Sequence, residues 1–163
     1  MHNSVTLWPI SASDQDFLFD VFCSARAELI ESLDLPDFQK AQLMRIQFQA
    51  QISAYKNQYP NADFDLLMVD GKSAGNLYAQ RGPDNFVLID ITLLPEQRNK
   101  GIGGTLVWQL LEEARAAGKT LNAHVRKGNP AWRLWERLGF RIVSDDGVYY
   151  AIEASFDNVI GNR

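Results

Sequence analysis

A chain of 163 residues, 46% hydrophobic and 22% charged, has the composition of an ordinary globular protein and can bury a full core without staples, which excludes extended disorder. With 16 Lys and Arg against 20 Asp and Glu the net charge is −4, which argues against non-specific nucleic-acid binding. The single cysteine, Cys23, excludes an intramolecular disulfide and points to a reducing compartment.

Cys23 falls among Val21, Phe22 and Ala25, where a small buried thiol is expected rather than a nucleophile. The opening Met1-His2-Asn3-Ser4 carries neither the charged region nor the apolar run of a secretory signal. No stretch approaches the roughly 18 apolar residues of a membrane span. A soluble, cytoplasmic protein is therefore expected.

Thr6 to Ile10 predicts a first strand. Ser13 with Asp16 three residues on resembles a capping box, opening a helix through Phe17, Val21, Phe22, Ala25 and Leu29. Asp34-Leu35-Pro36-Asp37 interrupts it, and a second helix runs to about Tyr59 on an apolar face of Met44, Phe48, Ile52, Tyr55 and Tyr59. The period then changes to that of strands: Phe64–Val69, an Asp70-Gly71 hairpin turn, and Lys72–Gln80. After the turn Gly82-Pro83-Asp84-Asn85, Phe86–Leu94 is nearly all apolar apart from Asp90 and Thr92, as in a central strand.

Beyond Pro95 a helix opens near Gly101, with Ile102, Leu106, Leu110 and Ala114 at every fourth position and Gly118 to close it. Thr120–Arg126 predicts a strand whose apolar residues alternate, turning His124 away from the core with Asn122 and Arg126. Asn129-Pro130 suggests a cap followed by proline at the first helical position. That helix ends at Gly139, and Phe140–Val143 and Val148–Ile152 form a final strand pair. No linker or repeat interrupts 1–163, so a single domain is expected. No His/Cys/Asp cluster has metal-ligand spacing, so no metal is expected.

Arg98-Asn99-Lys100-Gly101-Ile102-Gly103-Gly104-Thr105 stands between the central strand and a well-formed helix. Glycines allow close backbone approach, the free N–H groups of the helix start favour an anion, and Arg98 and Lys100 add charge. The combination makes a cradle for phosphate or pyrophosphate. A Walker loop fits poorly, because Lys100 precedes its glycine; a Rossmann site fits poorly, because the strands look hairpin-connected. The glycines can also be there only to permit a tight strand-to-helix turn.

Ile91-Thr92-Leu93-Leu94-Pro95-Glu96-Gln97-Arg98-Asn99-Lys100-Gly101-Ile102-Gly103 resembles the GNAT signature, Arg/Gln-x-x-Gly-x-Gly/Ala after a fourth strand. Asn129-Pro130-Ala131-Trp132-Arg133-Leu134-Trp135-Glu136-Arg137-Leu138-Gly139-Phe140 resembles that superfamily's second motif, an Asn, a short helix with Leu-Tyr, then Leu-Gly-Phe. Element order agrees over essentially the whole chain. The resemblance implies an α/β (α+β) fold: a mixed, mostly antiparallel central sheet of about seven strands flanked by about four helices. It also implies an acetyl-CoA-dependent N-acetyltransferase.

By the same resemblance, coenzyme A rests its pyrophosphate on the backbone of Arg98, Asn99, Lys100, Gly101, Ile102, Gly103, Gly104 and Thr105. Its pantetheine arm pairs near Thr92, Leu93 and Leu94, with the Leu93 N–H polarising the thioester carbonyl. Asn129 would touch that arm, though an asparagine before proline also serves as a helix cap. Asp90, a carboxylate in an apolar strand, is the candidate base for the acceptor amine, its pKa raised by desolvation. Hydrogen bonding at the sheet surface is the plainer account of it. Trp135 stands where the family's tyrosine usually protonates the departing thiolate, and an indole N–H is a donor but no acid. Solvent, Tyr78, Tyr149 or Tyr150 would have to take that role.

The acceptor is a small-molecule amine or a peptide. Glu28, Glu31, Asp34 and Asp37, with Trp8, Tyr149 and Tyr150 as walls, would suit a cation, unless those acids simply solvate a helix end. Homodimers formed through a sheet edge or the C-terminal strands are common in the superfamily. The alternative function is a CoA or acyl-CoA-binding module, weakened in catalysis by Trp135, with a regulatory or partner-binding role.

Overall fold

The structure is a computed structural model describing residues 4–155; readings that fell on Met1–Asn3 or on 156–163 lie outside the described residues. Backbone contacts gather the chain into two compact units. One runs to Tyr78 and resumes over Asp90–Arg98; the other comprises Ala79–Ile89 and the chain from Asn99 onward.

In the first unit, Val5–Pro9 (β1) pairs antiparallel with Asp63–Val69 (β2), from Val5 opposite Val69 to Pro9 opposite Asp65. Asp70 and Gly71 both take the left-handed conformation, at φ 51 and 79. That is the backbone a two-residue hairpin requires to match the twist of its strands. It leads into Lys72–Arg81 (β3), and a turn closed by the Gly82 N–H on the Asn85 carbonyl at 3.1 Å leads into Asn85–Leu93 (β4). Gln15–Ser24 (α1), Ala27–Ser32 (α2) and Asp37–Gln58 (α3) complete this unit. Phe48 of α3 meets Phe19 and Phe22 of α1 edge-on at 5.6 and 5.5 Å, and Met44, Phe48 and Ile52 are the buried stripe of α3.

In the second unit, Ile102–Ala116 (α4) buries Ile102, Leu106, Val107, Leu110, Leu111 and Ala114, the face that the four-residue recurrence predicts. It packs on Thr120–Arg126 (β5). Trp132–Arg137 (α5) follows, then Arg141–Asp145 (β6) and Tyr149–Ala154 (β7). β5 and β6 each pair antiparallel with β7, whereas β4 pairs parallel with β5 from Asn85–Thr120 to Leu88–Ala123. The strands make one seven-stranded, mostly antiparallel sheet in the order β1-β2-β3-β4-β5-β7-β6.

Four expectations change. The first expected helix is two, α1 and α2, which raises the α-helix count to five. Ser24 Oγ bonds back to the Val21 carbonyl at 2.7 Å, and Arg26 leaves helical geometry at φ −121, ψ 20. The capping box lies two residues early: the Ser11 N–H donates to Asp14 Oδ2 at 2.9 Å and opens a 3₁₀ turn over Ala12–Asp14. Asn129-Pro130 is not the cap and first turn of α5, which begins at Trp132 after a turn. Cys23 is half-buried rather than fully enclosed, with its thiol pKa pushed up first by desolvation and then by the nearby Asp20 carboxylate. As expected, His124 is exposed, on the side of β5 away from Leu121, Ala123 and Val125.

Among the described residues, no helix is long and apolar enough to cross a membrane, and no group of three His, Cys, Asp or Glu side chains could hold a metal ion.

Candidate active site

A small cavity in the first unit is lined by Leu18, Phe22, Arg26, Phe48, Gln51, Ile52, Asn76, Tyr78, Asp90 and Thr92. The space open to the centre of a water molecule is ≈ 20 Å³, and about 10–15 Å³ suffices for one water. The cavity therefore admits one water-sized group.

Asp90 is its carboxylate. Asn76 Nδ2 donates to Asp90 Oδ2 at 2.8 Å, and Thr92 Oγ1 lies 3.2 Å from the same oxygen and 3.3 Å from Oδ1. Both contacts favour the charged form. Desolvation outweighs them, so the pKa of Asp90 is raised above its ordinary 3.8. The residue keeps part of its surface open, but protein atoms crowd the carboxyl itself. Tyr78, 3% exposed, lies against Tyr55 and Phe64. Burial, with Asp90 as a lesser cause, pushes its phenol pKa upward, so Tyr78 stays protonated and gives up its proton poorly.

β3 and β4 come unusually close just past Asp90. A Cβ on Gly75 of β3 would collide with the Thr92 carbonyl oxygen and come within 3.0 Å of the Leu93 Cα. Only glycine allows this approach of two backbones. Both backbone groups of Leu94 are engaged: its N–H donates to the Ala74 carbonyl at 2.9 Å, and its own carbonyl accepts from Gln97 at 2.9 Å. The Leu93 carbonyl accepts from Arg98 Nε at 3.0 Å. Of the three positions expected to meet the pantetheine arm, Leu94 thus has its N–H committed to β3 and keeps one carbonyl lone pair, and Arg98 is anchored on β4 rather than aimed only at an anion.

The second unit holds the glycine loop. Asn99 and Gly101 are left-handed, at φ 61 and 79, and they fold the exposed chain back into α4. The Thr105 N–H reaches the Gly101 carbonyl at 3.1 Å, the first bond of the helix. No side chain caps α4, so the N–H groups of Ile102, Gly103 and Gly104 face outward without helical acceptors. Gly101 and Gly104 differ in purpose. A Cβ on Gly101 would meet nothing within 4 Å, so its φ is what requires glycine; a Cβ on Gly104 would lie 3.4 Å from Leu134 Cδ2 of α5. Gly104 thus serves helix packing. Ile102 anchors the loop with a buried side chain, Lys100 is exposed, and the Thr105 hydroxyl bonds back to the Gly101 carbonyl at 2.9 Å.

Asn129 Oδ1 accepts from the Ala131 N–H at 2.9 Å, a local turn that precedes α5. Trp135 packs edge-on against Phe140 at 5.5 Å, and its buried Nε1 has no hydrogen-bond partner; the same holds for Gln97 Oε1. The acidic residues Glu28, Glu31, Asp34 and Asp37 are exposed, and neither they nor Trp8, Tyr149 or Tyr150 line the cavity. Trp8 is 61% exposed, and Tyr150 packs on Trp132. Sequence reasoning missed Arg26, Gln51 and Asn76. The available signal was Asn76, an amide amid the small and apolar residues of β3, since a buried amide demands a polar partner.

The model of the acetyltransferase (GNAT) family matches residues 28–140, more than half of the chain. The protein belongs to the GNAT acetyltransferase family. No curated relative matches it by sequence. Among solved structures, the PaiA N-acetyltransferase of Thermoplasma acidophilum in complex with coenzyme A is similar at 17% identity and TM-score 0.68, covering 94% of this chain and 99% of that one. An acetyltransferase of Thermus thermophilus gives 23% and 0.62, over 94% and 97%. The ribosomal-protein-S18-alanine N-acetyltransferase of Escherichia coli gives 22% and 0.59, over 92% and 91%.

Proposed function

We propose that the chain is an acetyl-CoA-dependent N-acetyltransferase acting on a primary amine of a small molecule or peptide. The observation that carries this is Asp90: a desolvated carboxylate with a raised pKa, lining a cavity the size of one amine. The residues present also suit coenzyme A. The uncapped first turn of α4, with Arg98 and Lys100 beside it, would hold the pyrophosphate through backbone N–H groups from Gly101 to Thr105. Thr92 and Leu93 would receive the pantetheine arm, and the Asn129 amide nitrogen keeps its donors for it.

Bound acetyl-CoA would supply the acetyl group as a thioester, whose C–S bond breaks as the C–N bond to the amine forms, the sulfur leaving as the thiol. Asp90 takes the proton that the acceptor ammonium must lose, directly or through the one water the cavity can hold. Asn76 and Thr92 hold its carboxylate in place. The Leu93 N–H would stabilise charge on the thioester oxygen. An indole N–H cannot supply the proton of the leaving sulfur, so with Trp135 in place of a tyrosine that proton comes from solvent.

Calorimetric titration of acetyl-CoA and of free CoA tests the reading, with Gly103→Glu as the control. Micromolar binding lost in the glutamate variant, followed by thiol release with an amine panel, is the expected result. Absence of binding would sink the cofactor assignment and the enzyme with it. Binding without turnover on any amine would favour the catalytically weakened module that Trp135 makes conceivable.

A further inference from the structure

The wall that presents Asp90 also carries a cation. Arg26 stands at the break between α1 and α2, where one Nη donates to the Phe22 carbonyl at 3.1 Å and the guanidinium stacks 3.6 Å from the centre of the Phe22 ring. These contacts fix its plane while engaging only one of its several N–H donors. Arg45, Arg81, Arg115 and Arg141 each meet a carboxylate. Arg26, like several other arginines, has no carboxylate within ion-pair distance among the described residues; it is set apart by lining the same cavity as Asp90, whose charge it offsets from across that space. A guanidinium held flat and half-buried, which feels the Asp90 charge across the cavity without bonding to it, keeps N–H donors for a planar anion.

We propose that the acceptor is a free amino acid, its amine entering the cavity at Asp90 and its carboxylate taken by Arg26. The proposal rests on the reading of this cavity as the acceptor site. Three observations converge on it. Opposite charges line one small space, so a zwitterion satisfies both while a simple polyamine would place a cation beside Arg26. The cavity admits only one water-sized group, which suits an amino group and leaves the rest of the molecule outside. Leu18, Phe22, Phe48 and Ile52 stand between the polar groups of the wall and keep bulk water from both charged contacts. Arg26, rather than the exposed acids of α2, then sets the substrate class.

The test is a calorimetric titration of L-amino acids, each compared with the amine left by its decarboxylation, with and without saturating CoA. At least one amino acid is expected to bind about 10- to 100-fold more tightly than its matched amine, the range of a hydrogen bond to a charged group. Arg26→Gln removes that preference. Arg26→Lys, which keeps the charge without the fork, retains part of it and guards against loss of fold in the first variant; CoA affinity reports folding in both. Equal affinity for amino acids and amines, no binding of either, or a preference that survives Arg26→Gln would each overturn the proposal. Failure of CoA to bind is a separate result: it defeats the acetyl-transfer reading, while the titrations without CoA still decide the role of Arg26.

Discussion

Under the proposed function the groups that act around Asp90 are side chains, and other side chains hold them: Asn76 and Thr92 on the carboxylate, the Phe22 ring beneath Arg26. Ahead of α4 the proposed anion-binding groups are backbone N–H donors, placed by the left-handed Asn99 and Gly101 and by a helix that no side chain caps. The first arrangement buries polarity and tunes it by desolvation. The second leaves it open to solvent and tunes it by φ. Substitution should therefore act on chemistry at Asp90 with little change of fold, and on conformation at the loop with little change of chemistry.

The largest effect is expected for Asp90→Asn. The amide keeps an oxygen for Asn76 and fits the same space, yet it cannot take a proton. We expect kcat to fall by about 10²- to 10⁴-fold, the usual contribution of a positioned base, with Tm nearly unchanged. Retained activity would reduce Asp90 to a structural hydrogen-bond partner. The raised pKa gives the same idea a second readout. Between the ordinary value of 3.8 and the higher folded value, the native state binds more protons than the unfolded one. Stability must therefore decline as pH rises through that window, while activity climbs as the base form appears. Tm and kcat/KM measured across acid pH should show opposite slopes in the native chain, and Asp90→Asn should flatten the stability slope.

Next in size is Gly75→Ala. The new methyl would collide with the Thr92 carbonyl, backbone against backbone, where no rotamer change relieves it. A loss of about 3 kcal/mol, the upper end for overpacking, is expected by denaturant titration. Because β4 must shift, turnover should fall as well. A tolerated alanine would show that β4 is free to shift.

These two regions were unequally legible. The loop could be read because it is contiguous: glycines, basic residues and a helix start within eight positions, followed by α4 with its apolar recurrence. β5 matched its expected bounds, since alternation over Leu121, Ala123 and Val125 leaves one solution. The cavity could not be read, because Arg26, Asn76 and Asp90 meet only through the fold. Asp90 alone stood out, as a charge in an apolar strand. The break at Ala25–Arg26 has no proline or glycine to announce it, and residues 24–32 are compatible with one helix. It arises from Ser24 competing for the Val21 carbonyl and Arg26 folding back on Phe22. The capping box was misplaced because Ser11–Asp14 and Ser13–Asp16 have the same spacing, and only tertiary placement chooses between them.

The smallest and sharpest pair separates conformation from space within the loop itself. Gly101→Ala adds a methyl that touches nothing, but at φ 79 an alanine is strained by about 1–2 kcal/mol. The chain can relieve that strain by letting the loop re-fold, so CoA should bind roughly tenfold more weakly by calorimetry. Gly104→Ala adds a methyl at 3.4 Å from Leu134 Cδ2, an ordinary contact that a leucine rotation can accommodate. There, helix propensity favours alanine by about 0.5–1 kcal/mol, so the variant should melt slightly higher than the native chain. If both alanines behaved alike, the distinction between a glycine required by φ and one that the packing against α5 leaves replaceable would fail.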